Sequence, residues 1–342
     1  MKVLIVKTSS MGDLIHTLPA LTDAGNAIPS ITFDWVVEEN FVEIPKWHPR
    51  VDKVIPVALR RWRKNLFSSK TISEIRAFTH VLRETQYDLV IDAQALMKSV
   101  LVTCMARGVR CGPDWKSARE HLASIFYQRK FAVDKKQHAV TRMRRLFSLA
   151  LGYELPSSVA DYGIDRKKLL ADASAENYLV FLHGTTWPTK HWPEEYWHQL
   201  TRIANQKGFL VKLPWGTPAE KDRAERIAAS CERAEVLPRL GLVGMAKVLA
   251  GAQAIVAVDT GLGHLAAALN VPTVSLYGPT NPVLTGALGQ SQLHLSAKFP
   301  CAPCLSRECT YRGSSDQPSP LYPPCFATLP PEVVWTALES LL

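Results

Sequence analysis

Short apolar runs, each closing on a turn or a charged residue, constrain this chain most. KVLIVK (2–7), ITFDWVVE (31–38), YDLVIDAQ (87–94), YLVFLHG (178–184), FLVKLPW (209–215), AIVAVD (254–259) and TVSLYGPT (273–280) share this form. A strand that is apolar at successive positions has no face to offer water. It belongs inside a parallel sheet covered on both sides. KVIPV (53–57) reads as a shorter strand. Helical spacing fills the intervals at 71–85, 98–108, 193–208, 217–230 and 260–269, with Gly108 and Gly208 placed to end two of these helices. The rhythm occurs twice, separated by a mixed polar stretch at 152–176 that reads as the interdomain region. At 342 residues there is chain enough for two domains. The expected fold is α/β: two Rossmann-like doubly wound domains, 1–160 and 161–330, facing a central cleft, with a C-terminal helix over 331–342.

In such sheets ligands meet the carboxyl ends of the strands. The first of these ends is KTSSMGD, Lys7 to Asp13. It lacks the G-x-G-x-x-G of a dinucleotide site, and G-x-x-x-x-G-K-[ST] occurs nowhere in the chain. A carboxylate at this turn would repel phosphate. Two readings stay open for Asp13: a plain helix N-cap, or a carboxylate held ionised by the helix dipole and able to take a proton from an incoming hydroxyl.

The second half suits phosphate better. HGTTWPTKHW sets Thr185, Thr186 and Lys190 at a strand end, and DTGLGH brings backbone N–H groups near Asp259 and His264. Helix-terminal amides with one lysine make a diphosphate clamp that needs no metal. The competing readings are a surface ion pair for Lys190 and a core histidine for His264.

LRRWRKNLFSSK carries Arg60, Arg61, Trp62, Arg63 and Lys64, and Lys98 and Arg119 follow. This is either a site for anionic groups, with Trp62 at a lipid interface, or a solvated basic face. The charge is uneven: residues 1–165 hold 24 Lys+Arg against 17 Asp+Glu, and residues 166–342 hold 16 against 14. The first half therefore suits an anionic partner, be it nucleic acid, lipid or phosphorylated substrate. Cys301, Cys304, Cys309 and Cys325 read as a metal loop or as a reduced-thiol loop. The apolar run after Lys2 is too short for a secretory signal. The stretch 241–258, which carries Lys247 and Gln253, reads as a helix and then a buried strand, not a membrane span.

Taken together, KTSSMGDLIHTLPALTDA, FDWVVEE, VIPVALRRWRK, DLVIDAQ, the SARE-HLASIFY run, HGTT-KHWPEEYW, KLPWG and DTGLGHLAAAL-YGPT resemble the lipopolysaccharide core heptosyltransferases, glycosyltransferase family nine, over nearly the whole chain in order. The resemblance implies the GT-B fold, acceptor on the first domain and donor on the second. It implies inverting transfer of heptose from ADP-L-glycero-β-D-manno-heptose to the inner Kdo of Kdo₂-lipid A, with no metal, no other cofactor and no nucleic acid. By the same resemblance Asp13 is the general base, and Lys190 serves both catalysis and donor binding. Thr185, Thr186, Glu220, Asp259, Thr260, Gly261, Gly263 and His264 hold the donor. Ser10, Arg60, Arg61, Arg63, Lys64, Lys98 and Arg119 meet the acceptor. The enzyme would work in the cytoplasm, peripheral on the cytoplasmic face of the bacterial inner membrane. Addition of the second heptose, or sugar-nucleotide epimerisation on the same fold, are the alternatives. Ala95, Trp187, Pro188 and Gly263 depart from the residues usual in the family, and the Cys-rich ending resembles other branches of it.

Overall fold

The computed structural model describes residues 1–170, 177–229, 231–311 and 321–342. The chain divides into two compact units, Met1–Ile164 and Asp165–Leu342. The first unit holds six strands: β1 (Lys2–Val6), β2 (Thr32–Glu38), β3 (Val51–Val57), β4 (Gln86–Asp92), β5 (Arg107–Pro113) and β6 (Arg129–Phe131). They form one parallel sheet in the order β3-β2-β1-β4-β5-β6. The second unit holds β7 (Tyr178–Leu182), β8 (Leu210–Leu213), β9 (Ala234–Val236), β10 (Ala254–Val258), β11 (Thr273–Tyr277) and β12 (Gln292–Ser296). Their order, β12-β11-β10-β7-β8-β9, repeats the topology of the first sheet, again all parallel. In each sheet the order reverses beside the first strand, between β1 and β4 and between β7 and β10. A crevice for ligand opens at such a reversal.

The central strands are buried as their composition requires. Val3 to Val6, Tyr178 to Leu182 and Ala254 to Val258 are all buried, and helices cover them. In the second unit Phe181, Trp192, Trp197, Val256 and Leu276 form the core. Val334, Trp335 and Leu338 of the C-terminal helix Pro331–Glu339 join it. A buried ion pair ties the helices of the first unit: Arg144 donates from Nε to Asp23 Oδ2 at 2.6 Å and from Nη2 to Oδ1 at 3.1 Å. Residues 242–258 form the helix Leu242–Gly251 followed by β10, and among the described residues no helix is long and apolar enough to cross a membrane.

Two expectations need correction. The helix predicted over 98–108 spans Met97–Met105, because Ala106 is already extended and Gly108 lies inside β5. Its φ of +153° and the Tyr87 carbonyl, 2.7 Å from where a Cβ would stand, make glycine necessary in the strand, not at a helix end. Gly208, at φ +88° just past the helix Glu194–Gln206, does terminate its helix. Trp62 is not at a surface. The short helix Leu59–Trp62 turns it inward, where its ring meets Phe78 edge-on at 5.7 Å and its N–H donates to Glu74 at 2.7 Å.

Candidate active site

At the reversal in the first sheet, the segment after β1 is fixed by the end of β4. Gln94 Oε1 accepts from the Thr8 amide at 2.7 Å, the Thr8 hydroxyl at 2.9 Å and the Ser9 amide at 3.3 Å. The buried Lys7 ammonium donates to the Ala93 carbonyl at 2.8 Å. Asp92, fully buried, accepts from the amides of Gln94 and Ala95 and the hydroxyls of Ser99 and Tyr127. These bonds hold both strand ends rigidly.

On that support Ser10 caps the helix Met11–Ile15, and Asp13 occupies the third helical position of a capping box. Asp13 is therefore not the N-cap. Its Oδ2 accepts from the Ser10 amide at 3.0 Å and the Ser10 hydroxyl at 2.9 Å. Burial pushes the carboxyl up, but the Lys7 ammonium, the Ser10 hydrogen bonds and His16 outweigh it. The group is held well below the ordinary carboxylate range. Lys7 itself is lowered, chiefly by burial. Arg142, on the helix Ala139–Leu151, is lowered by burial with Asp13 opposing.

The basic residues divide. Arg61 is neutralised, bridging Glu39 at 3.1 Å and Glu74 at 2.7 Å. Arg60 lies over the Phe41 ring at 5.7 Å while its amide donates to Glu38. Lys98 reaches Ser9 Oγ at 3.2 Å. Its pKa is lowered by partial burial and by the cations Arg60, Arg119 and Arg63, with Glu38 opposing. These four cations share one space, and mutual repulsion makes that space ready for an anion. Lys64 is exposed.

At the reversal in the second sheet, Thr185 follows β7 and donates from its hydroxyl to the Asp259 carbonyl at 3.1 Å. Lys190 pairs with Asp259 Oδ2 at 2.7 Å and lies 4.5 Å over the Trp187 ring. Lys190 is thus in an ion pair, as the competing reading had it, but a largely buried one that leans on the strand end. Thr186 is exposed beside it. Thr260 caps the helix Gly261–Ala268, whose first turn holds Gly261, Gly263 and His264. His264 is buried, with Nε2 3.9 Å from Asp259 Oδ1. A Cβ on Gly263 would stand 3.3 Å from that of Ala257, so this turn packs closely on β10. Glu220 closes a capping box on the helix Pro218–Ala228, accepting from the Gly216 and Thr217 amides at 2.8 and 3.1 Å. Its Oε1 reaches Gly184 at the end of β7, 2.6 Å from where a Cβ would be.

Lys7, Asp92, Gln94 and Arg142 were not singled out from sequence. Gln94 had a signal, since it stands two residues past the Asp92 strand end. Arg142 had none, because it comes from a helix distant in the chain. Cys301, Cys304, Cys309 and Cys325 are free thiols, and no group of three or more His, Cys, Asp or Glu among the described residues is set to hold a metal. Burial, then the three neighbouring sulfurs, pushes the Cys325 thiol up to about 11.

Comparison with known proteins agrees with this geometry. Glycosyltransferase family 9 (heptosyltransferase) matches residues 75–314. Lipopolysaccharide heptosyltransferase 1 of Pseudomonas aeruginosa is 59% identical over 348 residues, covering 100% of this chain and 98% of the relative. The E. coli heptosyltransferase WaaC with ADP superposes with a TM-score of 0.89 at 47% identity, covering 100% of both chains. The same enzyme with ADP-2-deoxy-2-fluoro heptose gives 0.86 at 46%, again over 100% of both. The matching family and these relatives are transferases, which sets the epimerase alternative aside, and identity favours heptosyltransferase 1, at 59%, over the heptosyltransferase 2 of E. coli, at 24% over 84% of this chain. Two like-ordered parallel sheets, each with its functional groups at the strand reversal, are the GT-B architecture. The chain belongs to glycosyltransferase family 9, the heptosyltransferases.

Proposed function

We propose that the chain moves L-glycero-D-manno-heptose from ADP-heptose to the inner Kdo of Kdo₂-lipid A, with inversion and without a metal ion. The first unit takes the acceptor and the second the donor. One observation carries the reading: a carboxylate held ionised at the β1–β4 reversal, and a lysine with helix-terminal amides at the β7–β10 reversal. The first has the charge to receive a hydroxyl proton. The second has the charge to stabilise a departing diphosphate.

In this mechanism Asp13 takes the proton from the acceptor hydroxyl as its oxygen attacks the anomeric carbon. The glycosidic bond to ADP breaks as the new bond forms on the opposite face. Negative charge grows on the diphosphate and is met by Lys190, the Thr185 and Thr186 hydroxyls and the amides of the 260–264 turn. Asp259 holds Lys190 in place and lies where the donor heptose would sit. Glu220, beside Gly184, faces the adenosine ribose. Arg60, Arg63, Lys98 and Arg119 receive the acidic acceptor, with Lys64 at their margin and Ser10 beside the base. Arg61, already paired with two carboxylates, acts by shaping this surface. The acceptor is a lipid, so the enzyme works against the cytoplasmic face of the inner membrane, and its partners include no nucleic acid.

The test is mass spectrometry of Kdo₂-lipid A incubated with ADP-heptose and the protein in excess chelator. A gain of one heptose is the expected result. Transfer only to an acceptor already carrying one heptose would move the chain to the second step. Transfer only after a divalent cation is restored would overturn the metal-free clamp.

A further inference from the structure

The turn at His121–Phe126 is packed inside out. Its small residues face inward: Ala123 is fully buried and Ser124 is 2% exposed. Its large apolar residues face water: Leu122 is 56% exposed, Ile125 58% and Phe126 41%, with Trp115 nearby at 51%. A soluble surface normally hides such side chains, and clustering them is unusual without a partner. The turn is not loose. Ala123 and Tyr127 pack on Val100, the Tyr127 hydroxyl donates to Asp92, and Arg110 Nε donates to the Phe126 carbonyl at 3.0 Å. Trp115 stacks on His121 at 5.7 Å, and Met97, Trp115, Glu120, His121 and Leu122 line a hollow of about 460 Å³.

Hydrogen bonds place this turn beside the acceptor cations. The Met97 amide donates to Glu120 at 2.6 Å, and the Glu120 amide to the Ala95 carbonyl at 3.0 Å. Lys98, one residue on, reaches Ser9. From the neighbouring Thr8 carbonyl the chain of contacts runs through Glu38 to the Arg60 amide. A further pair of exposed apolar side chains, Leu66 at 50% and Phe67 at 95%, comes after Arg63, Lys64 and Asn65 in the chain. Exposed apolar residues therefore adjoin cations in the chain at both places: Leu122, Ile125 and Phe126 after Arg119, and Leu66 and Phe67 after Arg63 and Lys64.

We propose that the Leu122, Ile125, Phe126 and Trp115 cluster, with Leu66 and Phe67, is the membrane-docking surface of this enzyme. The apolar tips enter the acyl boundary of an anionic leaflet while Arg60, Arg63, Lys98 and Arg119 meet its phosphates. Charge complementarity selects this occupant: an apolar patch rimmed by uncompensated cations fits an anionic bilayer, where buried apolar area and electrostatic attraction add. A second protein chain would need carboxylates opposite the same belt. This surface rests on the proposed lipid acceptor for its purpose, but binding to lipid can be measured without turnover.

The test uses the full chain with L122Q/I125Q/F126Q, and separately L66Q/F67Q. All five side chains are exposed, so the fold is expected to survive. Sedimentation with vesicles of phosphatidylethanolamine and phosphatidylglycerol reads the partition coefficient. Each large apolar residue lost is expected to lower it about tenfold. Transfer to an acceptor stripped of its acyl chains should stay at the wild-type rate, while transfer to vesicle-borne Kdo₂-lipid A falls. Unchanged partitioning of both variants would overturn the proposal. So would a parallel loss with the acyl-free acceptor, which would make the cluster an acceptor sugar subsite. Normal vesicle binding by a wild-type protein that transfers to neither acceptor would instead refute the functional reading and leave the docking surface standing.

Discussion

Asp13→Asn separates the structural role of this carboxylate from its chemical one. The amide keeps an oxygen where Ser10 donates its N–H and hydroxyl at 3.0 and 2.9 Å, so the capping box retains its shape. What is lost is the negative charge at the helix N-terminus and beside Lys7. Charge at such a terminus contributes about 0.3–1 kcal/mol, so a stability loss of about 1 kcal/mol is expected by urea unfolding. Loss of a general base costs about 10²–10⁴ in rate, or about 3–5 kcal/mol of barrier. Single-turnover transfer at saturating ADP-heptose reads the second effect, and calorimetric titration with ADP should show unchanged affinity, because the donor groups belong to the other unit. Turnover within threefold of wild type would refute the base assignment, and a parallel loss of ADP affinity would refute the division of labour. The pH dependence follows from the same charges. The folded carboxyl titrates below its unfolded value of about 3.9. Its contribution to stability is therefore complete above that value and is lost as pH falls toward the folded one. The acid limb of kcat/KM should lie below the ordinary carboxylate range. An anionic acceptor close to Asp13 opposes the Lys7 charge that lowers it, so the acid limb of kcat should sit higher than that of kcat/KM.

Lys190→Ala removes a cation and leaves Asp259, 9% exposed, without its partner at 2.7 Å where the diphosphate is proposed to bind. ADP affinity should fall about tenfold to a hundredfold, the size of a charged hydrogen bond, and adding Asp259→Asn should recover part of the loss by calorimetry. Trp62→Ala empties a core position packed on Phe78 and should cost about 3–5 kcal/mol in denaturant unfolding; a loss below about 1 kcal/mol would return this residue to the surface. Gly263→Ser places a Cβ 3.3 Å from that of Ala257 and otherwise at 3.8 Å or beyond. Its kcat and ADP affinity should stay within about threefold of the parent, about 0.6 kcal/mol, and a larger drop would mean the turn has no room for a side chain.

The central strands of both sheets were legible because burial on both faces writes a continuous apolar run. Of the outer ones only the edge strand β3 was, as KVIPV; four others were not. RGVRCGP of β5, RKF of β6, AEV of β9 and QLHLS of β12 lie toward the sheet edges, where one side meets solvent and polar residues are tolerated. The helix over 98–108 was overextended for a related reason. Glycine ends helices and also admits a close carbonyl in a strand, and the sequence does not distinguish Gly108 near Tyr87 O from Gly208 at a helix end.

In the site, the strand-end residues could be read because chain adjacency puts them there: Asp13 follows β1, and Asp259 follows β10. What adjacency cannot supply is partnership across strands. Arg61 and Arg63 look alike in LRRWRK, yet Glu39 and Glu74 neutralise only the first, and Glu74 also draws Trp62 inward. The same limit applies to Asp13. As a side chain at a helix start it reads equally well as cap or base. Its depressed pKa comes largely from Lys7, which is buried under the end of β4 through the Ala93 carbonyl. Lys7 is held where a basic side chain ordinarily would not stay, since burial disfavours its charge and the tertiary contacts must offset that cost. A cap needs no such neighbour. A base that must stay ionised until an anionic acceptor arrives does.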